Sequence, residues 1–531
     1  MGGYGHSPVS AHVLYDIERR EKMKTAAVFS DNMVLQRGMN VRVFGTCNSD
    51  KPIYVSIPEL NISAEAVINE KRWEAVLPAL PQYDCCTLEV TCGAIRKIFR
   101  NVAIGEVWLA GGQSNMEFEL HNDKNGAEEL RNSARENVRY YYTPKCAMLD
   151  DELIRSESVS RWETASETNS SAWSAAGWYF AKELSRKLGC VVGVLGCNWG
   201  GTSASAWVPR EVLMNNAKLR VYIDEYDKAT AGKSDEQMIS EYDEYSVYQY
   251  GWEKRTAECY AENPDITWDE LQEKCGENRY PGPPGIKNPM RPCGLYDTMV
   301  SRICPYTVRG VLWYQGESDD HRPEVYYDLM SALISHWRNI WHSDEMTFLI
   351  VQLPMFRYCE DPDTKRWAYI REAQMKLFRT IKNTGIAVVL DCGEFDNIHP
   401  TDKSVVGHRL HLQAMSEVYG LMDRSETMPP VLGTYEVRRG NTMVVYLDNP
   451  SGGLEGNDGL KDGFELAGAD GVYYSADSVE IFGNQIHIRC EKVKSPVNVR
   501  FKWTNYAEVG LFGSNGIPLA PFRTDSFTLE D

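Results

Sequence analysis

The stretch VWLAGGQSNMEF, residues 107–118, decides the fold prediction, because an apolar strand pattern runs straight into a glycine turn. The apolar residues end at Gly111 and Gly112, and Ser114 follows them on the turn. In open α/β sheets, ligands bind beyond the carboxyl ends of the strands. Ser114 is therefore a candidate nucleophile, although serine is also a common turn and N-cap residue.

Apolar runs alternate with helical segments after this stretch. The runs CVVGVLGCNWGG, TVRGVLWYQG, MTFLIVQLP and GIAVVLDCG have the pattern of buried strands. Segments such as SAAGWYFAKELSRKLG and YYDLMSALISHWRNIW have the apolar spacing of amphipathic helices. This alternation predicts an α/β fold, with a parallel sheet covered by helices on both faces.

Two β-rich regions flank this α/β segment. Residues 24–104 contain short β-branched runs separated by turn residues, which predicts an N-terminal β-sandwich-like domain. Residues 430–531 return to short strands and form a predicted C-terminal β-rich region. We expect the α/β domain to span 105–429, with a charged, Tyr-rich helical insertion at about 210–295 that acts as a substrate-side lid. Residues 1–23 are expected to be an N-terminal extension.

Composition and charge limit the function. The 531 residues are 43% hydrophobic, which indicates a folded protein, and the formal charge of −19 disfavours nucleic acid and anionic membranes as partners. The 14 cysteines contain no C-x-x-C pair, so zinc-finger and thioredoxin sites lack their spacing. With no apolar segment of membrane-spanning length and no signal-peptide pattern, we expect a cytoplasmic protein of undetermined oligomeric state.

Asp396 and His399 form the second half of a predicted catalytic site. A serine hydroxyl needs a base to remove its proton, and a neutral histidine is the usual base near pH 7. An aspartate three residues before a histidine, in a turn closed by Pro400, can reach the other imidazole nitrogen. Asp391, at the end of the preceding strand, is an alternative partner for the histidine.

Two further strand ends carry candidate oxyanion-stabilising and substrate-binding residues. The backbone N–H groups of Ser114 and of Gly200 or Gly201 are candidate oxyanion donors, because glycine permits close approach. The side-chain amide of Gln315 is a candidate third donor. Glu317 cannot donate when it is ionised, so we expect it to have a structural or network role at the same strand end.

The motifs GQSNM, WGGTSASAWVP, WYQGES and DNIHP, in this order, resemble the SGNH hydrolase superfamily and, within it, the sialate O-acetylesterases. Further similar segments extend the resemblance over about residues 28–527. The resemblance implies a flavodoxin-like SGNH sheet and a serine esterase that deacetylates sugars without a cofactor. It implies Ser114 as nucleophile, His399 as base and Asp396 as its orienting acid, with Gly201 and Gln315 as oxyanion donors. Where the superfamily usually has asparagine in a G-x-N-D block, this chain has glutamine in Q-G-E.

Two other functions are compatible with the residues. A metal-dependent hydrolase could use Asp391, Glu394, Asp396 and His399, whose oxygen and nitrogen atoms are suitable ligands. A non-catalytic carbohydrate-binding protein could stack sugars on tryptophans near the strand ends, namely Trp199, Trp207 and Trp313.

The substrate prediction follows from charge. A sialic acid carries a carboxylate, so its specific use by this acidic chain requires a local arginine. Arg210, Arg322 and Arg357 are the candidates on strand-end loops. If none of them lines the site, we expect neutral acetylated sugars to be hydrolysed at least as well as acetylated sialic acid.

Overall fold

The computed structural model describes residues 23–263, 266–448, 451–456 and 462–528, and its fold is mixed α/β with β-rich regions at both ends. The predicted N-terminal extension lies outside the described residues except for Met23. The strands of the N-terminal region are β1 (Met23–Thr25), β2 (Val34–Gln36), β3 (Val41–Cys47), β4 (Ile53–Ile57), β5 (Ile62–Glu65), β6 (Val67–Asn69), β7 (Arg72–Leu77), β8 (Tyr83–Cys92) and β9 (Ile95–Gly112).

A large mixed sheet forms the centre of the molecule. Besides the second half of β9, it contains β10 (Val138–Tyr142), β11 (Trp162–Thr164), β12 (Val192–Asn198), β13 (Gly310–Tyr314), β14 (Thr347–Gln352) and β15 (Thr384–Val388). Their order is β11-β10-β12-β9-β13-β14-β15, and every pair is parallel except β10 with the edge strand β11. All residues of β12, β13, β14 and β15 are buried, as expected for strands covered on both faces.

Helices connect and cover these strands. They are α1 (Ser114–Glu117), α2 (Gly126–Asn132), α3 (Asp151–Val159), α4 (Ala175–Leu188), α5 (Arg210–Met214), α6 (Arg220–Thr230), α7 (Asp235–Glu262), α8 (Trp268–Cys275), α9 (Ser301–Ile303), α10 (Tyr326–Ile340), α11 (Arg366–Thr380), α12 (Ser404–Glu417) and α13 (Arg424–Thr427). Helices α5 to α8 occupy the predicted insertion between β12 and β13. Within the described ranges, no helix combines the length and the apolar character needed to cross a membrane.

The C-terminal region is built from short antiparallel strands. They are β16 (Val431–Arg438), β17 (Thr442–Asp448), β18 (Leu454–Gly456), β19 (Phe464–Ala467), β20 (Tyr473–Ser475), β21 (Ser478–Phe482), β22 (Gln485–Arg489), β23 (Asn498–Phe501), β24 (Leu511–Gly513) and β25 (Phe522–Arg523). Two four-stranded sheets and one two-stranded sheet result. Their apolar side chains form a cluster of their own, which includes Val445, Phe464 and Phe501.

Strand β9 joins the N-terminal region to the central sheet. Its first part pairs with β8, and its last residues pair with β12 and β13. The predicted domain boundary between residues 104 and 105 falls inside this continuous strand, and one buried apolar cluster runs through both regions. The coarse prediction, an α/β centre with β-rich ends, is confirmed.

The order of the strands places three loops side by side. Strand β9 lies between β12 and β13, so the strands that follow it in the chain form the sheet on one side of β9 as far as β12 and on the other side from β13 onward. A crevice opens beyond the strand ends where the order reverses in this way. Ser114, Gly200 and Gln315 follow these three strands, so the sheet brings their loops to one edge.

Candidate active site

The glycines before Ser114 are required by the close approach of β13. Gly112 has a φ of +136°, and a β-carbon there would overlap the carbonyl oxygen of Tyr314. The N–H of Gln113 donates to that same carbonyl at 3.1 Å. Only glycine permits this approach at such a φ, so the turn starts α1 directly at Ser114, at the end of a buried strand.

The hydroxyl of Ser114 is bonded to the imidazole of His399. The distance between Ser114 Oγ and His399 Nε2 is 2.8 Å, although 285 residues separate them in the chain. Burial lowers the pKa of His399, the nearby Lys403 cation lowers it further, and Glu117 opposes the shift. A lowered pKa keeps the imidazole neutral near pH 7, which is the form that can accept the serine proton.

The structure does not bring the predicted acids to His399. Asp396 is exposed, has a φ of +64°, and accepts the N–H of Cys359 at 2.9 Å through Oδ1. Asp391 binds Arg409 with both carboxylate oxygens. In the described part of the chain, no hydrogen bond or ion pair joins either carboxylate to the imidazole. The expected Asp396–His399 contact is therefore corrected: competing donors hold both carboxylates elsewhere.

Gln315 is also engaged differently from the prediction. Its side chain is fully buried, and Nε2 donates to the Thr202 carbonyl at 3.2 Å and to Asp319 Oδ2 at 2.6 Å. Its Oε1 accepts the Tyr326 hydroxyl at 3.1 Å. Both amide hydrogens are thus used within the protein, and Gln315 links the β12 and β13 loops instead of pointing a free donor at the nucleophile.

The glycine pair after β12 lies directly beside the nucleophile. A β-carbon on Gly200 would lie 3.3 Å from Ser114 Cβ, and Gly201 has a φ of +74°. The Gly200 N–H donates to Glu117 Oε2 at 2.5 Å, and the other oxygen of Glu117 is bonded to Lys145. The N–H groups of Ser114 and Gly201 have no partner among the described residues, so these two donors remain available.

A buried polar network lies beneath the Ser114–His399 pair. Asn115 donates to Glu317 Oε1 at 2.7 Å and to the Ile398 carbonyl at 3.0 Å. Lys403 donates to Asn115 Oδ1 at 2.7 Å and to the Pro400 carbonyl at 2.5 Å. Burial raises the pKa of Glu317 and lowers that of Lys403 to about 8. Glu317 is therefore bonded within this network through Asn115.

Four residues at this site were not singled out by the sequence analysis. Asn115 and Glu117 lie on Ser114's helix, where Asn115 contacts the loop of His399 and Glu117 contacts Gly200. Lys145 is bonded to Glu117, and Lys403 is bonded to the Pro400 carbonyl in the loop of His399. For two of them a signal exists, because Asn115 and Glu117 stand within the motif GQSNMEF itself. Lys403 lies four residues after His399, immediately before helix α12. Lys145 has no local signal, because its ion pair is formed only by folding.

Two of the three candidate arginines are paired with carboxylates. Arg210 is paired with Asp227, and Arg322 is paired with Glu225 at 2.6 Å. Arg357 lies on the Asp396 side of the site, where its carbonyl accepts the Asp396 N–H and its guanidinium faces the ring of Phe395. Two lysines are bonded to the nucleophile's helix: Lys145 pairs with Glu117, which balances its charge, and Lys403 donates to Asn115.

The residues of the two alternative functions are distributed as follows. Glu394 binds Asn397 and Thr401, and no group of three or more metal-ligating side chains is gathered anywhere in the described ranges. Trp207 and Trp313 are fully buried in the apolar core. Trp199 is partly exposed beside Gly200, so only this tryptophan of the three could face a sugar.

Comparisons with known proteins relate this chain to carbohydrate esterases. Residues 285–416 match the family model described as carbohydrate esterase, sialic acid-specific acetylesterase. The sialate O-acetylesterase of Rattus norvegicus is 26% identical over 358 residues, which are 63% of this chain and 60% of that protein. The Mus musculus enzyme is 28% identical over 60% of this chain and 58% of its own length. The chain thus spans about three fifths of these relatives.

A solved structure is similar over nearly the whole chain. A carbohydrate acetylesterase from Xanthomonas citri has a TM-score of 0.74 and 26% sequence identity, and the match covers 95% of this chain and 100% of that one. Together with the family model and the curated relatives, this match confirms the resemblance to the carbohydrate esterases that the motifs predicted.

Proposed function

We propose that this chain, a relative of the sialate O-acetylesterases, is a serine esterase that removes O-acetyl groups from acetylated sugars. The observation that carries the proposal is the 2.8 Å hydrogen bond between Ser114 Oγ and His399 Nε2, at the crevice beyond β9. A serine bonded to a neutral histidine is the minimal arrangement for nucleophilic acyl transfer. The proposed type of fold is the SGNH hydrolase sheet, with the domain limits predicted above.

The proposed cycle has two acyl transfers. Ser114 Oγ attacks the acetyl carbonyl carbon while His399 Nε2 takes the hydroxyl proton, and the tetrahedral intermediate releases the sugar oxygen, which receives that proton. A water molecule then gives a proton to His399 and attacks the acetyl-serine. Acetate leaves, and the proton returns to Ser114 Oγ. The net reaction consumes one water and needs no cofactor.

The charge that develops on the acetyl oxygen needs donors that are already in place. We assign this role to the free N–H groups of Ser114 and Gly201. Gly200 is a less suitable donor, because Glu117 already accepts its N–H. In this proposal Glu117 holds the β12 loop in place through the Gly200 N–H. Gly200 and Gly201 lack side chains, so the loop can pack against the β-carbon of Ser114.

We propose that the insertion acts as a substrate-side lid, and the position of Tyr280 supports this role. Tyr280, in the loop that follows α8, lies over the β12 loop, with its hydroxyl 3.4 Å from the Gly201 carbonyl. A β-carbon at Gly201 would overlap that hydroxyl. Tyr280 is half-exposed, so its ring can contact a sugar bound above Ser114. This position is what a lid over the acetyl-binding end of the site requires.

For the substrate we propose a neutral acetylated sugar. The names of the relatives refer to sialate, but binding of a sialic acid carboxylate needs an unpaired cation near the nucleophile. Arg357, on the Asp396 side of the site, has no carboxylate partner among the described residues, so it is the candidate cation left for a sialic acid carboxylate. Arg210, Arg322 and Lys145 are each paired with a carboxylate, Lys403 is buried, and the net charge of −19 opposes anionic substrates. We therefore expect neutral acetylated sugars to be hydrolysed at least as well as acetylated sialic acid, in a cytoplasmic setting as predicted.

Acetate release from a panel of acetylated xylo-oligosaccharides, manno-oligosaccharides and sialic acids tests the proposal. The wild-type protein should release acetate, and Ser114→Ala should lose a factor of about 10⁴ or more, because the covalent step disappears. Ser114→Ala that keeps more than about a tenth of the rate would refute the nucleophile. Binding of acetylated sugar without acetate release would favour a binding protein, and loss of activity on chelation would favour a metal hydrolase.

A further inference from the structure

The backbone on both sides of His399 is tied to the helix of the nucleophile. The Ile398 carbonyl, just before the histidine, accepts Asn115 Nδ2 at 3.0 Å. The Pro400 carbonyl, just after it, accepts Lys403 Nζ at 2.5 Å. Lys403 also donates to Asn115 Oδ1 at 2.7 Å. Since Asn115 is the residue after Ser114, these bonds connect the loop of the base directly to the helix of the nucleophile.

Burial of the Lys403 ammonium removes its hydration, which costs free energy, and its contacts within the protein must offset that cost. Its side chain is buried together with that of Asn115, and no carboxylate in the described ranges forms an ion pair with it. Besides its two hydrogen bonds, the ammonium lies 4.6 Å from the centre of the Phe118 ring, within the range of a cation–π contact. A buried charge held by neutral partners is an expensive arrangement for stability alone.

The start of helix α12 keeps Lys403 in place. The Lys403 N–H donates to Asp123 Oδ2 at 2.8 Å, and Asp123 Oδ1 accepts the Tyr179 hydroxyl at 2.7 Å. Asn115 is fixed in turn by Glu317, whose Oε1 it contacts at 2.7 Å. Both ends of the Lys403–Asn115 contact are therefore anchored to other parts of the central domain.

We propose that Lys403 and Asn115 form a backbone clamp that positions His399 against Ser114, in the place usually taken by an acid on the imidazole. Lys403 and Asn115 act through the histidine and touch no substrate, so they are positioning residues. The inference rests on the proposed esterase function and adds what orients its base. An imidazole without an acid on Nδ1 must be oriented by its backbone, and the clamp holds that backbone on both sides.

The charge of Lys403 also affects the pKa of His399, and an uncharged structural contact would not. The charged groups that act on His399 are Lys403, which lowers the imidazole pKa, and Glu117, which raises it. Those that act on Lys403 are Glu317, Asp123, Cys392 and Glu394. Removing the lysine cation must therefore raise the pKa of His399, because a nearby positive charge disfavours the imidazolium.

Lys403→Met tests the clamp, with kcat and KM measured on an aryl acetate from pH 4.5 to 9. We expect kcat to fall about 10²-fold with little change in KM, because the base loses its aligned position. The acid limb of kcat/KM should move to higher pH, because the free-enzyme imidazole then titrates higher. Lys502→Met is the matched control, since Lys502 is a buried lysine of the C-terminal region and should leave kcat and the acid limb unchanged.

Asn115→Asp is the second variant, in case Lys403→Met does not fold. It keeps the side-chain shape and the acceptor for Lys403 but removes the donor to the Ile398 carbonyl and to Glu317 Oε1. We therefore expect kcat to fall by about 10-fold or more at unchanged KM. Wild-type kcat in Asn115→Asp, or an unmoved acid limb in folded Lys403→Met, overturns the clamp. If the wild-type protein releases no acetate from any ester, the esterase function itself fails, and if Ser114→Ala stays active, the serine mechanism fails, so both failures are distinguishable from failure of the clamp.

Discussion

At the residue scale, the reactivity of this site depends on where His399 is held and on its charge. The imidazole lies 2.8 Å from the serine oxygen and is partly buried, which lowers its pKa and favours the neutral form. Asp396 is close in sequence but turned away, because its carboxylate accepts the N–H of Cys359. Proximity in sequence thus does not by itself make an aspartate the partner of a histidine.

Asp396→Asn tests whether the Asp396 carboxylate orients His399 or only holds its own loop. Because Asp396 makes no contact with the imidazole, we expect this variant to keep kcat within about tenfold of wild type, whereas His399→Ala should lose about 10⁴-fold through loss of the base. Both are measured as kcat on an aryl acetate, with circular dichroism as a check on folding. A fall in Asp396→Asn as large as that in His399→Ala would show that the carboxylate orients the base during turnover.

At the scale of elements, the site is made by adjacent strand ends. Strands β12 and β13 lie on either side of β9, so their loops meet at Ser114. The loop that carries His399 follows β15, which is separated from β9 by β13 and β14. It must cross back over the sheet edge to reach Ser114, and Asn115 attaches it there to helix α1.

Gly112→Ala tests the junction between β9 and α1. A methyl group at this position would overlap the Tyr314 carbonyl and oppose a φ of +136°, so β9 and β13 would have to separate. We expect a loss of stability of more than about 2 kcal/mol, measured by thermal unfolding, together with loss of acetate release. Gly420→Ala is the control, because Gly420 has a φ of +60° and open space around it, and it should cost only about 1 kcal/mol. Equal costs in the two variants would contradict the steric argument.

At the scale of the whole molecule, buried titratable groups link stability to pH. His411 lies on helix α12, is 6% exposed, and its Nδ1 has no partner in the described part of the chain. Burial lowers the pKa of His411 to about 4, assisted by His408 and Lys187 and opposed by Glu183. The unfolded chain binds this proton near pH 6.5, whereas the folded protein does not, so acidification favours unfolding.

His411→Leu should reduce this acid sensitivity. In the wild type, the contribution of His411 is lost as the pH falls from about 6.5 to about 4, with a total of about 3 kcal/mol in the free energy of unfolding. The variant should show a shallower decline over that window in urea unfolding measured at several pH values. His342→Asn, at an exposed histidine with positive φ, is the control and should follow the wild-type slope. An unchanged slope in His411→Leu would contradict the assignment.

Much of the architecture and part of the site follow from local sequence patterns. Fully apolar runs predict strands that are covered on both faces, and Gly111-Gly112 predicts a turn where another backbone comes close. Both predictions succeed because strand burial and turn conformation depend on residues that are adjacent in the sequence. Four motifs in order were sufficient to identify Ser114, His399 and the glycines after β12 as one site. Nucleophilic catalysis requires particular residue types, and these residue types can be read directly from the sequence.

Only the tertiary structure decided which partner each polar side chain takes. Gln315 and Asp396 have the right chemistry for the roles expected of them, but folding brings other donors and acceptors close, and they bond these instead. The contact between Lys403 and Asn115 joins residues 288 apart, and no local pattern indicates it. Hydrogen bonds form where folding brings groups together and removes water, so competition among distant residues, which a linear sequence does not display, determines the final network.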